Sequence, residues 1–422
     1  MKKMVSVISV LVSASALAAP EVSGVSVAVD PMWRTTTVKY SLSESAVVTF
    51  DVRTNGVSIG GVYLQGTVGD VNRKLSAGEK TLTWCWPKGA DALALSADAT
   101  ATVTAWPLDN LPDYVVCDFS LNNSLSFYAN AESIPGGIED DRYKTDCFVI
   151  RRIPAKGVVW KMGSPDGESG RVVNAETHHF VTFTNDYYMA VYETTQRQYE
   201  WIMGVESENS GYFTLSVTNA PTVPMDGLNH WHNLRGSANG DLYEKWTPPE
   251  YVRRGGRNNL VLGKLSSRVG FTCDMPTEAE WEYACRAGEG SARYDGTDDA
   301  STIDELAWHS GNSGGKIHPV GLKKPNRWGL YDMYGNVVER CLDWYTTNVF
   351  VAVDNIATNP PGAAESDRNA KGGVTYNRVS RGGSIVSGAN ELRSAYRMSH
   401  GINSSTRFSG FRVVALNVKL EE

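Results

Sequence analysis

Arg381-Gly-Gly-Ser-Ile-Val-Ser-Gly-Ala-Asn-Glu-Leu-Arg-Ser-Ala-Tyr-Arg397, closed by Ser409-Gly-Phe-Arg-Val-Val414, is the stretch around which the chain is organised. Strand-like runs over Arg378–Ser384 and Gly410–Val414 bracket a segment rich in Ser, Asn, Arg and Gly. Those residues let a backbone turn tightly while presenting donors and acceptors. The expectation is a polar surface held by a rigid frame, and its chemistry depends on which reactive side chains occupy it.

The bulk composition narrows the classes. A chain of 422 residues exceeds one ordinary domain, and 41% hydrophobic residues suffice for more than one core. Lys and Arg number 40 against 47 Asp and Glu, a net charge of −7, with no basic stripe of the kind a phosphate backbone requires, so nucleic acid is not expected as a partner. Lys2 and Lys3, an apolar run from Val5 to Leu17 and the small-residue site Ala16-Leu17-Ala18 read as a cleaved signal peptide over residues 1–18. That run is too short and too Ser-rich for a membrane span, no other segment of about 18 apolar residues occurs, and no Cys follows the cleavage site for lipid attachment. The expected location is extracytoplasmic, periplasmic or secreted. Six cysteines, Cys85, Cys117, Cys147, Cys273, Cys285 and Cys341, then fall in a compartment that permits disulfides. None forms a CxxC pair, which removes zinc ribbons and thioredoxin-like redox motifs, and sequence does not choose among the pairings.

Residues 20–110 alternate with period two. Val38, Tyr40 and Leu42 interleave with Lys39 and Ser41, and Val48, Phe50 and Val52 with Thr49, Asp51 and Arg53, before the turn pair Asn55-Gly56. Thr81–Trp86 and Ala101–Trp106 continue the pattern, so an antiparallel β-sandwich of immunoglobulin-like type is expected, without chemistry of its own. Residues 111–147, with Pro112, Pro135-Gly136-Gly137 and an acidic run, read as a linker carrying one edge strand near Tyr114–Phe119. A second domain is expected over residues 148–418, dense in Trp and Gly. It has a short amphipathic helix at Thr194–Met203 and another opened by the capping box Thr277-Glu-Ala-Glu280 and ended at Gly288.

Four motifs coincide in this second domain: Met162-Gly-Ser-Pro165, Pro276-Thr-Glu-Ala-Glu-Trp-Glu-Tyr-Ala-Cys-Arg-Ala-Gly288, Gly329-Leu-Tyr-Asp-Met-Tyr-Gly-Asn-Val-Val-Glu339, and the opening stretch with Gly410-Phe-Arg-Val413. In this order and spacing they resemble the sulfatase-modifying factor, or formylglycine-generating enzyme, family over about residues 148–418. The resemblance implies an α+β domain with much irregular structure, similar to a C-type-lectin-like fold. Family members include a copper oxidase that makes formylglycine from a sulfatase cysteine, and iron-dependent sulfoxide synthases. Others are ligand-binding proteins whose C-terminal loop is the recognition surface.

The oxidase chemistry needs a thiolate pair, because soft sulfur holds Cu(I). In active members those cysteines follow the Arg-Gly-Gly-Ser string; here the positions fall at Ser387 and near Glu391 or Leu392, so copper is not expected. Cys285 and Cys341 are the thiols that would have to reach in, and their alternative role is buried packing or a structural disulfide. His230-Trp-His232 has a chelating spacing but no evident third ligand. Tyr331–Glu339 resembles a family calcium loop, with Asp332 and Glu339 as side-chain ligands and Gly335 and Val337 as carbonyl ligands. It departs from the family where two tryptophans normally flank the glutamate, which are Val338 and Arg340 here.

The reading is an exported protein whose family domain lacks the catalytic cysteine pair, a pseudoenzyme that binds a protein, peptide or glycan ligand. The binding surface is expected over Ser384–His400 with Asn403, Ser404 and Arg407, using Ser384, Ser387, Asn390, Arg393, Tyr396 and Arg397; Arg393 and Arg397, four apart, can equally hold internal carboxylates. The alternatives are an active metal-dependent oxidoreductase of the same family and an envelope component assembled through the front module.

Overall fold

Alternation of apolar and polar residues sets the front of the chain. In β1 (Val22–Asp30), β2 (Thr35–Leu42), β3 (Ala46–Thr54), β4 (Thr67–Gly69), β5 (Arg73–Leu75), β6 (Gly78–Cys85) and β7 (Thr100–Trp106), the apolar members meet in a core containing Val38, Tyr40, Leu42, Phe50, Val52, Leu82, Trp84 and Val103. The protein is described by a computed structural model over residues 9–11, 20–94, 96, 98–204, 220–228, 234–235, 260–298, 300–346, 356–360, 377–401, 404 and 406–421. One front sheet runs β1-β2-β6-β4; in the other, β3 pairs with β7 and β5 and, through a hairpin, with Val57–Ser58. Asn55 and Gly56 take positive φ at 52° and 76°, the paired left-handed turn expected of Asn-Gly. Thr49 and Asp51, placed outward by alternation, are buried in β3. Trp106 Nε1 donates to Thr49 Oγ1, and Arg53 and Ser58 donate to Asp51.

Residues 1–143 with 418–422 form one compact unit and residues 144–417 a second. Of the expected signal segment, Ser9–Leu11 are described, as a short strand parallel to Thr100–Thr102. The stretch 111–147 carries more order than a linker: β8 (Tyr114–Asp118) and β9 (Ser124–Tyr128) pair as a hairpin through Asn122 and Asn123, both of positive φ.

The second unit is built from short strands. β10 (Cys147–Ile153) pairs with β13 (Tyr187–Ala190), which pairs with β19 (Val414–Leu416), which pairs with β14 (Thr272–Asp274). β11 (Val159–Met162) and β12 (His179–Thr182) form a hairpin extended by Ala357–Thr358. A third sheet has the order β17 (Met398–Gly401), β16 (Asn377–Arg381), β15 (Val338–Trp344), β18 (Ser409–Gly410). Helices α1 (Gln196–Met203) and α3 (Glu278–Arg286) both open on capping boxes, Thr195 with Gln198 and Thr277 with Glu280. Between them lies α2 (Val261–Val269), which has no side-chain cap. The core gathers Met189, Trp281, Ala284, Cys285, Tyr334, Cys341, Val379, Leu392 and Val414. Two sequence expectations are corrected. α3 ends at Arg286 with Ala287, not Gly288, as the first left-handed residue at φ 48°. The Gly410–Val414 run is not one strand: it leaves the third sheet at Gly410 and joins β13 at Val414.

Candidate functional site

The polar stretch between β16 and β17 is held from beneath by arginines. Arg381 pairs with Glu282 and stands 3.3 Å from Glu278, both carboxylates being on α3. Arg397 forks onto Glu278 at 2.5 and 2.8 Å and donates to the carbonyls of Ala175 and Thr346. Arg393 forks onto Glu176 at 2.8 and 2.9 Å and reaches Glu168 at 2.5 Å. Arg412 donates to both oxygens of Glu339 at 2.7 to 3.0 Å and to the carbonyls of Ala190, Val191 and Tyr331. All four guanidiniums are buried. Bidentate geometry of this kind suits a planar fork and offsets the desolvation of the pair. Arg393 and Arg397 thus tie the loop to α3 and to residues 168–176; the role of ligand contact is not available to donors already engaged.

The other expected binding residues divide. Ser384 and Ser387 are buried, with Ser387 Oγ accepting from Ser384 N–H and Ser384 Oγ from Val386 N–H. Asn390 is exposed, Tyr396 is half-buried with its hydroxyl donating to Glu391, and Val386 is 59% exposed. Reachable surface on this stretch therefore centres on Val386, Asn390 and Tyr396. Asn403 lies outside the described residues, as do His230 and His232.

The places of the family cysteines hold no sulfur. Ser387 N–H donates to Ser384 O and its own carbonyl accepts from Ser310 N–H, closing a tight turn; Glu391 sits in a 3-10 turn with Oε2 accepting from Gly388 N–H. Cys285 and Cys341 are both free thiols and fully buried. Burial pushes the Cys285 thiol up to about 12 and Cys341 well above its ordinary value. Cys285 makes a weak contact to Ser394 Oγ, which bonds to Tyr334, so a buried polar patch of Cys, Ser and Tyr lies beneath the loop. Such thiols stay protonated and are poor copper ligands.

The expected calcium loop is a buried acidic cluster. Asp332 takes φ 55°; its Oδ2 accepts from Gly321 N–H at 2.7 Å, and its Oδ1 is buried without a hydrogen-bond partner. Gly335 is required: at φ 77° a Cβ would stand 2.1 Å from Trp308 O. Glu339 accepts from Arg412 and, at 2.7 Å, from Trp281 Nε1. Glu193, which carries no motif signal in the sequence, joins from the segment before α1 and accepts from Asn336 Nδ2 and Val337 N–H. Burial, then the negative charges of Asp332 and Glu339, push Glu193 well above the carboxylate range; burial lifts Asp332 to about 6. Three carboxylates therefore share Arg412, and the excess negative charge with an orphan oxygen fits a hard cation. Among the described residues no three His, Cys, Asp or Glu side chains converge as a metal group, so such a cation would need main-chain carbonyls as well.

Motifs, fold and site together define a sulfatase-modifying-factor domain. The model of the sulfatase-modifying factor enzyme 1-like domain family matches residues 153–416, and the chain belongs to that family. It is 26% identical to the chaperone protein LppX of Paenibacillus barcinonensis over 54% of this chain and 80% of that protein. It is 32% identical to the formylglycine-generating enzyme of Thermomonospora curvata over 33% of this chain, and spans about half the length, 48%, of that enzyme. Among solved structures, Treponema denticola variable protein 1 is similar at 23% identity with a TM-score of 0.46, covering 64% of this chain and 95% of that one. No helix among the described residues is long and apolar enough to cross a membrane.

Proposed function

We propose that this protein is an exported ligand-binding member of its family that does not perform copper-dependent formylglycine synthesis. The observation that supports the reading is that the two family cysteine positions fall at Ser387 and near Glu391 or Leu392, none of them a thiol, with Ser387 and Glu391 engaged in local hydrogen bonds. A hydroxyl does not replace a thiolate as a Cu(I) ligand at ordinary pH. The ligand is a protein, peptide or glycan met by the exposed part of the loop, Val386, Asn390 and Tyr396, an apolar, an amide and an aromatic group. Calcium belongs to the same proposal, as a structural ion held by the side chains of Asp332 and Glu339 with the carbonyls of Gly335 and Val337, next to Glu193.

Incubation with copper, oxygen and cysteine-containing peptides, followed by an aldehyde-reactive probe, tests the reading. No aldehyde above a buffer control is expected. Turnover that disappears in Cys341→Ser or Cys285→Ser overturns it.

A further inference from the structure

The third sheet has two faces, and the site above uses one of them. Glu339, Cys341, Val379 and Arg381 point toward α3 and the core. Alternation puts Val338, Arg340 and Leu342 on the opposite face of β15. Register then sets Ser380 across from Arg340, His400 across from Arg378, and Ser409 beside Val338.

Arg340 stands where the family carries a flanking tryptophan, and it differs from the four arginines of the loop framework. Its side chain is fully buried, at 0% exposure. Nη1 donates to Gly401 O at 3.3 Å and Nη2 to Ser404 O at 2.6 Å, while Nε has no partner. No carboxylate among the described residues pairs with it. Around it Ser380 Oγ, Ser409 Oγ and His400 Nδ1 are likewise buried without a hydrogen-bond partner. Burial and the nearby Arg340 charge hold His400 down at about 4, so at neutral pH the imidazole is uncharged and one ring nitrogen can donate.

An uncompensated buried guanidinium costs several kcal/mol, and each orphan hydroxyl adds to that cost. The same face therefore collects the Arg340 charge, with the buried Arg378 across from His400, and three polar atoms without partners, and no carboxylate among the described residues pairs with Arg340. We propose that this face is an oxyanion-binding site, with Arg340 as charged anchor and Ser380, Ser409 and His400 as neutral donors. A carboxylate, sulfate or phosphate group supplies the required chemistry: a delocalised negative charge on oxygens that accept from the partnerless Nε of a guanidinium and from hydroxyls.

Thermal unfolding of the full chain in acetate, sulfate or phosphate, each at an ionic strength matched with chloride, reads the proposal. The wild type should gain several degrees, saturably, in at least one of these anions. Acetate identifies a carboxylate ligand, sulfate or phosphate a tetrahedral one. Arg340→Met should abolish the gain while melting at or above the wild type in chloride, because the unpaired charge is gone. Arg340→Lys, which keeps the charge but not the fork, should raise the half-saturating concentration several-fold, and it supplies the reading if Arg340→Met does not fold. A wild type indifferent to all three anions, a gain retained in Arg340→Met, or an unchanged midpoint in Arg340→Lys overturns the proposal.

Discussion

Arginine has three fates in this domain, and spacing along the sequence does not separate them. Arg393 and Arg397 share a helical interval that suits a ligand clamp as well as an internal rivet. Glu176 and Glu278, more than a hundred residues away from them or from each other, settle the matter by arriving underneath. Arg412 is the rivet of the acidic cluster, and Arg340, one residue past Glu339 and on the other face, is left without a carboxylate among the described residues. Asp343 shows the same dependence on distant partners. Its Oδ2 accepts from Glu278 N–H at 2.6 Å at the start of α3. Burial, and next the Glu278 charge, lift it from 3.8 to about 7. A carboxyl raised on folding stabilises the fold below its ordinary pKa, and that contribution is lost as pH rises through the folded value. Asp343→Asn keeps the acceptor and removes the titration. The variant's melting temperature minus that of the wild type should therefore grow by several degrees between pH 4 and pH 8, the window set by 3.8 and about 7. A constant difference across that range removes Asp343 from the pH response.

At the scale of elements, what was legible in advance had a local cause. The Thr277 capping box, the period-two strands and the Asn55-Gly56 turn each follow from side chains acting on their own backbone. Thr277→Ala removes the hydroxyl that accepts from Glu280 N–H, so it should cost about 1 kcal/mol of stability in chemical denaturation. A loss near zero would mean that packing of Trp281 and Glu278 alone holds the first turn. What was missed had no local cause. Helix α2 contains Gly263, Ser266 and Ser267 and lacks a side-chain cap; burial of Val261, Leu262, Leu265 and Val269 stabilises it. The break of Gly410–Val414 between two sheets was hidden because one apolar run serves either sheet equally well until both are present.

For the whole molecule, the acidic cluster offers the broadest test. Glu193, Asp332 and Glu339 come from two distant segments, and Arg412 from a third. If calcium neutralises the excess, melting in calcium and in a chelator should give curves several degrees apart, the calcium form being the more stable. Superposed curves remove calcium from the account. The sequence by itself determined the family, the α+β class and the absence of a thiol pair after Arg381-Gly-Gly-Ser384, because long strings and residue identities are local facts. Tertiary structure alone decided that the stretch 381–397 is a riveted framework with a small exposed crest, that Glu193 enters the acidic cluster, and that Arg340 is buried without a charged partner among the described residues. Those outcomes depend on which groups meet across hundreds of residues, and the energy of a buried charge is set by the neighbours it finds there.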